Sequence, residues 1–90
     1  MLYEYDPEKS RLNKAKHGID FEEAQKLWHD RKHIVIDSVY KAEPRFLVIG
    51  SIDGECWVVV ATYRMEAVRI ISCRRARKNE EALYVQEHRH

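Results

Sequence analysis

Between Arg64 and Lys78 the chain carries six Lys or Arg residues against the single acid Glu66, leaving ten basic residues against fourteen acidic ones elsewhere. Arg69 sits inside the β-branched run Val68–Cys73, and Arg74 and Arg75 stand at its exit, followed by Arg77 and Lys78. Guanidinium is planar, permanently charged and forked, so it matches a phosphate or carboxylate far better than an apolar neighbour. A near-neutral protein of net charge +1 with its positive charge gathered in one segment presents a local anion-binding surface. The bland alternative is an edge strand guarded by basic residues. Five arginines from Arg64 to Arg77 exceed what such protection needs. Parity along a regular strand puts Arg69 and Arg75 on one side, with Arg74 sharing the side of Ser72. Beyond the cluster, Glu80 and Tyr84 lie four apart on one face of a closing helix, where Glu80 also has Arg77 within pairing distance.

A second set of candidates lies near the start. Lys9, Asn13, Lys16 and His17 share one helix face by spacings of three and four, just before Gly18. Lysine and histidine at a helix C-terminus also suit the helix dipole, so this face alone is weaker evidence. His29 and His33 lack the intervening glutamate of an HExxH site, and neither a phosphate-binding glycine loop nor a GxSxG elbow occurs. No metal ligand set and no cofactor is expected. Trp57 and Tyr63 share strand parity and read as packing residues that could also stack a base.

The elements that must position these groups follow from pattern. Leu2–Tyr5 is a short aromatic strand; Asp6-Pro7 caps a first helix that runs to about His17, with Gly18 as its left-handed end. Leu12, Ala15 and Ile19 form its expected apolar stripe. Asp20 with Glu23 makes a capping-box pattern for a second helix, which places Phe21, Ala24, Leu27 and Trp28 inward and ends near His29 or Asp30. The period then changes to two. His33–Val39, Arg45–Ile52, Cys56–Arg64 and Ala67–Cys73 read as strands joined by a turn at Lys41–Pro44, by Asp53-Gly54 and by Met65-Glu66, hence an antiparallel meander. Ala76 to about His88 is the third helix, with Ala76, Leu83 and either Ala82 or Val85 inward. His88 and His90 belong to a frayed end.

Ninety residues with 44% hydrophobic and 34% charged content, three Gly and two Pro make one compact α+β domain. The N-terminus has neither a basic n-region nor an apolar h-region, and no apolar run reaches the roughly 18 residues of a membrane helix. A cytoplasmic protein without a membrane partner is therefore expected. Cys56 and Cys73, without CxxC spacing, read as reduced core thiols.

The combination of YDPEKSRLNKAKHGIDFEEA with RFLVIG, ATYR and RIISCRRARKNEEALY, in this order and over essentially the whole chain, resembles the BrnT toxins of type II toxin-antitoxin systems. The matching positions are Asn13, Lys16, His17, Gly18, Phe21, Arg64, Arg69, Ser72, Arg74, Arg75, Glu80 and Tyr84. Asp30 is followed by Arg31 where the family pattern has proline. The resemblance implies a RelE-like fold and a ribonuclease that restrains translation until a cognate BrnA-like antitoxin binds, with DNA reached only through that antitoxin. Cleavage without a metal uses the substrate's own 2′-hydroxyl, so the protein must supply proton transfer and fixed cations around the phosphorane. On this reading Arg64, Arg69, Arg74 and Arg75 hold phosphates, Glu80 or His17 moves the proton, and Asn13, Lys16, Arg77, Lys78 and Tyr84 contact RNA. The alternative is a non-catalytic module whose arginine segment binds antitoxin or nucleic acid in an autoregulatory complex.

Overall fold

A computed structural model of the chain describes residues 1–37 and 44–87. The expected turn at Lys41–Pro44 falls largely outside the described residues, as do the end of the first meander strand and the histidines at 88 and 90. The elements in order are β1 (Leu2–Glu4), α1 (Pro7–His17), α2 (Phe21–Ala24) running into a 3-10 helix (Gln25–His29), β2 (Ile34–Asp37), β3 (Phe46–Ile52), β4 (Glu55–Arg64), β5 (Ala67–Arg75) and α3 (Lys78–Glu87).

The meander β2-β3-β4-β5 is antiparallel, as period and turns require. The sheet as a whole is mixed and five-stranded, in the order β1-β5-β4-β3-β2. β1 joins it parallel to β5, pairing Leu2, Tyr3 and Glu4 with Ala67, Val68 and Arg69. Parallel pairing needs a crossover, and here the whole intervening chain provides it. Asp53 and Gly54 both take positive φ, 51° and 82°, the signature of the tight hairpin turn that joins β3 to β4.

One sheet face carries Phe46, Val48, Val59, Ala61, Val68, Ile70 and Cys73 and buries them against Ile19, Phe21, Ala24 and Leu27. Phe21 and Leu27 are 1% and 0% exposed, each contributing roughly 1.5–3 kcal/mol through apolar burial. The capping box at Asp20 and Glu23 is formed in both directions, but α2 makes a single α turn before tightening to 3-10 geometry. That tightening seats Leu27 against Gly50, where an added Cβ would meet Leu27 Cδ2 at 2.9 Å, and sets Trp28 edge-on to Tyr3 with ring centroids 5.1 Å apart.

Both flanking helices turn a polar side inward, against expectation. Leu12 is 52% exposed and Ala15 is exposed, whereas Ser10 and Asn13 are buried. In α3, Leu83 and Val85 are 42% and 56% exposed, and Glu80 is the buried residue. A helix can bury polar groups only if each finds a partner. Phe21 N–H donates to Ser10 Oγ at 2.9 Å, and the partners of Asn13 and Glu80 build the site.

A candidate phosphate-binding face

The arrangement of the arginines is set by a β-bulge. Ala61 pairs with Ile70 and Val60 with Ser72, so Ile71 has no partner opposite and the register shifts by one. Cross-strand partners share a face. Arg69 lies opposite Thr62, Ser72 opposite Val60 and Arg74 opposite Val58, which places these three and Arg64 on the face turned to α3. Arg75 lies opposite Trp57, on the face of α1 and α2. The expected pairing of Arg69 with Arg75 on one side is thus reversed by one inserted residue, and Arg74 joins Arg69.

Arg75, expected among the phosphate-holding residues, is engaged elsewhere. Its guanidinium lies 5.3 Å from the Trp57 ring centroid and 2.5 Å from the Glu55 carboxylate. Tyr63, the other aromatic of that parity, stacks on Phe46 at 4.6 Å between centroids.

Arg74 and Glu80 form a two-pronged ion pair: Nη1 donates to Oε1 at 2.8 Å and Nη2 to Oε2 at 2.9 Å. The same Glu80 Oε1 accepts from Arg77 N–H at 2.8 Å, closing the first turn of α3. The Arg74 hydrogen bonds hold the Glu80 carboxyl below the usual carboxylate range despite its burial, and they raise the Arg74 guanidinium in turn. Glu80 is therefore an ionised anchor that accepts three hydrogen bonds. It sets the orientation of Arg74.

Arg69 is held more loosely. One nitrogen lies 3.3 Å from Glu4 Oε1, and the two side chains are 31% and 40% exposed. Glu4 was not legible as a site residue, because only the parallel pairing of β1 with β5 brings it beside Arg69. Arg64, Arg77 and Lys78 are exposed around this face.

The polar face of α1 meets β5 at its open edge, beyond the last residue covered by β1. Asn13 Nδ2 donates to Cys73 O and to Ile19 O, each at 2.8 Å, and Asn13 Oδ1 accepts from Cys73 N–H at 3.3 Å. With both donors engaged the amide holds the helix to the strand, and only a lone pair of Oδ1 is left for the RNA contact expected of it. Around it lies a recess of about 210 Å³ whose walls include Lys9, Lys16, His17, Ile71 and Ser72. Lys16 and His17 thus do approach the arginine strand, through Ser72.

Tyr84 also serves inward. Its hydroxyl donates to Asp30 Oδ2 at 2.6 Å, and that oxygen accepts from Ser51 N–H at 2.8 Å. Burial, then the Asp30 hydrogen bond, push the Tyr84 phenol up to about 12. Asp30 lies below its usual range: burial opposes the charge, and the hydrogen bonds from Tyr84, Lys32 N–H and Ser51 N–H outweigh it. His33 Nδ1 lies 2.8 Å from Asp30 O and closes the same turn. α3 is consequently anchored at two polar points four residues apart, Glu80 on Arg74 and Tyr84 on Asp30.

The model of the family described as ribonuclease toxin, BrnT, of type II toxin-antitoxin system matches residues 5–80. That span takes in α1, every strand of the sheet except β1, and Glu80. No curated protein matches the chain.

Proposed function

From the premise that the chain belongs to the family of BrnT ribonuclease toxins of type II toxin-antitoxin systems, we propose that it is a metal-independent endoribonuclease with its centre on the α3-side face of the sheet. The observation that carries this is the alignment of Arg64, Arg69 and Arg74 on one face, with Arg74 oriented by Glu80. The order of strand, two helices, meander and closing helix supports a RelE-like reading of this single domain.

In this mechanism the arginines hold the scissile and adjacent phosphates and stabilise the charge that accumulates on the scissile oxygens, the role of a preorganised oxyanion site. The RNA 2′-hydroxyl attacks phosphorus and the bond to the 5′-oxygen breaks, leaving a 2′,3′-cyclic phosphate and a 5′-hydroxyl. With Glu80 committed, proton transfer falls to His17, whose ring is half-buried beside Ser72. Arg77 and Lys78 extend the cationic surface for neighbouring phosphates. Cleavage of cytoplasmic RNA restrains translation, and a BrnA-like antitoxin neutralises the toxin by covering this face, with any DNA contact made through the antitoxin.

The test is cleavage of RNA by the purified chain freed of antitoxin, with end-group analysis. Activity persisting in EDTA with cyclic phosphate ends is expected. Turnover that vanishes on chelation and returns with magnesium refutes the chemistry, and tight RNA binding without turnover favours the non-catalytic module.

A further inference from the structure

The recess between α1 and the β5 bulge is lined by Lys9, Lys16, His17 and Ser72, with Asn13 and Ile71 in its walls and no carboxylate among its lining residues. Lys9 and Lys16 are exposed, and Ser72 is half-buried with no side-chain hydrogen bond among the described residues. Lys14, one position outside this set, is by contrast tied to Glu23 at 2.6 Å. The recess therefore gathers two ammonium groups, an imidazole and an unengaged hydroxyl. The C-terminal carbonyls of α1 oppose an anion with about half a unit of negative charge, against two full positive charges from the lysines, so the field is positive. Asn13 contributes rigidity: its amide fixes the distance between α1 and Cys73, so the walls are preformed.

Ser72 joins this recess to the arginine face. The bulge turns it to the side of Arg69 and Arg74, yet it also lines the recess at the strand edge, where β1 has already ended opposite Arg69. A polyanion lying on the arginine face can pass over the edge at Ser72 and reach Lys9 and Lys16. We propose that this recess is a second phosphate subsite, in which Lys9, Lys16 and Ser72 hold the RNA phosphate next to the scissile one and so fix the register of the strand across β5. This rests on the ribonuclease reading above and adds to it a site that determines how the substrate is placed.

The experiment has two arms on the full chain. In the first, binding of an all-2′-O-methyl RNA oligonucleotide, which lacks the nucleophile, is followed by fluorescence anisotropy across a salt series. Lys9→Ala with Lys16→Ala, and separately Ser72→Ala, are compared with Lys14→Ala, and melting temperatures confirm folding. Loss of one phosphate contact should lower the slope of log Kd against log salt by about 0.7 in the double variant, with Lys14→Ala unchanged. Ser72→Ala should weaken binding at every salt concentration while leaving the slope in place, since a hydroxyl carries no charge. In the second arm, inorganic phosphate is titrated into the protein while backbone amide NMR signals are followed, with shifts expected at Lys16, His17 and Ser72. A wild-type slope in the double variant overturns the proposal even if RNA is cleaved normally. If no RNA binds at all, the ribonuclease reading fails instead, and the phosphate titration decides the recess on its own: shifts there sustain an anion site, and their absence overturns it.

Discussion

The Asn13 side-chain amide both donates to and accepts from the main chain of Cys73, sixty residues away, as the next residue of a neighbouring strand would. β1 covers the edge of β5 only as far as Arg69, and Asn13 continues the pairing past the bulge. Asn13→Ala should therefore cost about 2–4 kcal/mol, because buried main-chain groups at Cys73 and Ile19 lose their partner. Asn13→Asp should be no better, since it loses both donated bonds and adds a buried charge. Chemical denaturation checks this, and a loss within about 0.5 kcal/mol for Asn13→Ala would remove the clamp from the account.

Adjacent arginines on opposite faces should behave differently. Arg74→Ala should lower RNA turnover by about two to three orders of magnitude, as loss of a preorganised donor does. Arg74→Lys should restore little, because an ammonium cannot reproduce the forked pairing with Glu80. Arg75→Ala should change turnover by less than about threefold, its contacts being Trp57 and Glu55. Equal effects at the two positions in single-turnover assays would contradict the face assignment.

Glu80→Gln tests the anchor. The carboxyl lies below its ordinary range in the folded protein, so its contribution to stability is complete above the unfolded-state pKa and is lost as pH falls through the folded value. At pH 7 the variant should be less stable by about 1–3 kcal/mol, and the gap should close in acid. Parallel stability curves for the two proteins down to the acid transition would show that Glu80 is not linked in this way.

Tyr84 supplies the opposite sign. Its phenol is raised to about 12, so the stability it contributes is present below the unfolded-state value near 10 and is lost as pH rises towards 12. Tyr84→Phe should flatten this alkaline limb. It should also increase amide exchange in α3, whose second anchor is the hydrogen bond to Asp30. Unchanged exchange from Lys78 to Glu87 would mean that Arg74 and Glu80 suffice to hold the helix.

For His17, single-turnover cleavage by the His17→Gln variant should lose one limb of the wild-type pH profile with the melting temperature nearly unchanged. A helix-end residue acting only through the dipole would give the reverse: a loss of about 0.3–1 kcal/mol in stability and an intact profile.

Local chemistry made much of this molecule legible in the sequence. Asp6-Pro7 and Gly18 bound α1, Asp53-Gly54 turns β3 into β4, and the change of period after Lys32 announces the meander, since caps, turns and alternation act over a few residues. The basic segment from Arg64 to Lys78 was visible for the same reason. The division of its arginines between two faces was decided only in three dimensions. Ile70 and Ile71 are both apolar, so the extra residue leaves no mark on the hydrophobic pattern and shows only in the pairing of β5 with β4. The inward polar faces of α1 and α3 were hidden likewise: Asn13, Glu80 and Tyr84 are buried or half-buried because Cys73, Arg74 and Asp30 satisfy them, and those partners are brought to them by packing. Glu4 meets Arg69 because the first strand closes the sheet beside the last, a pairing across more than sixty residues that rests on the buried core beneath both.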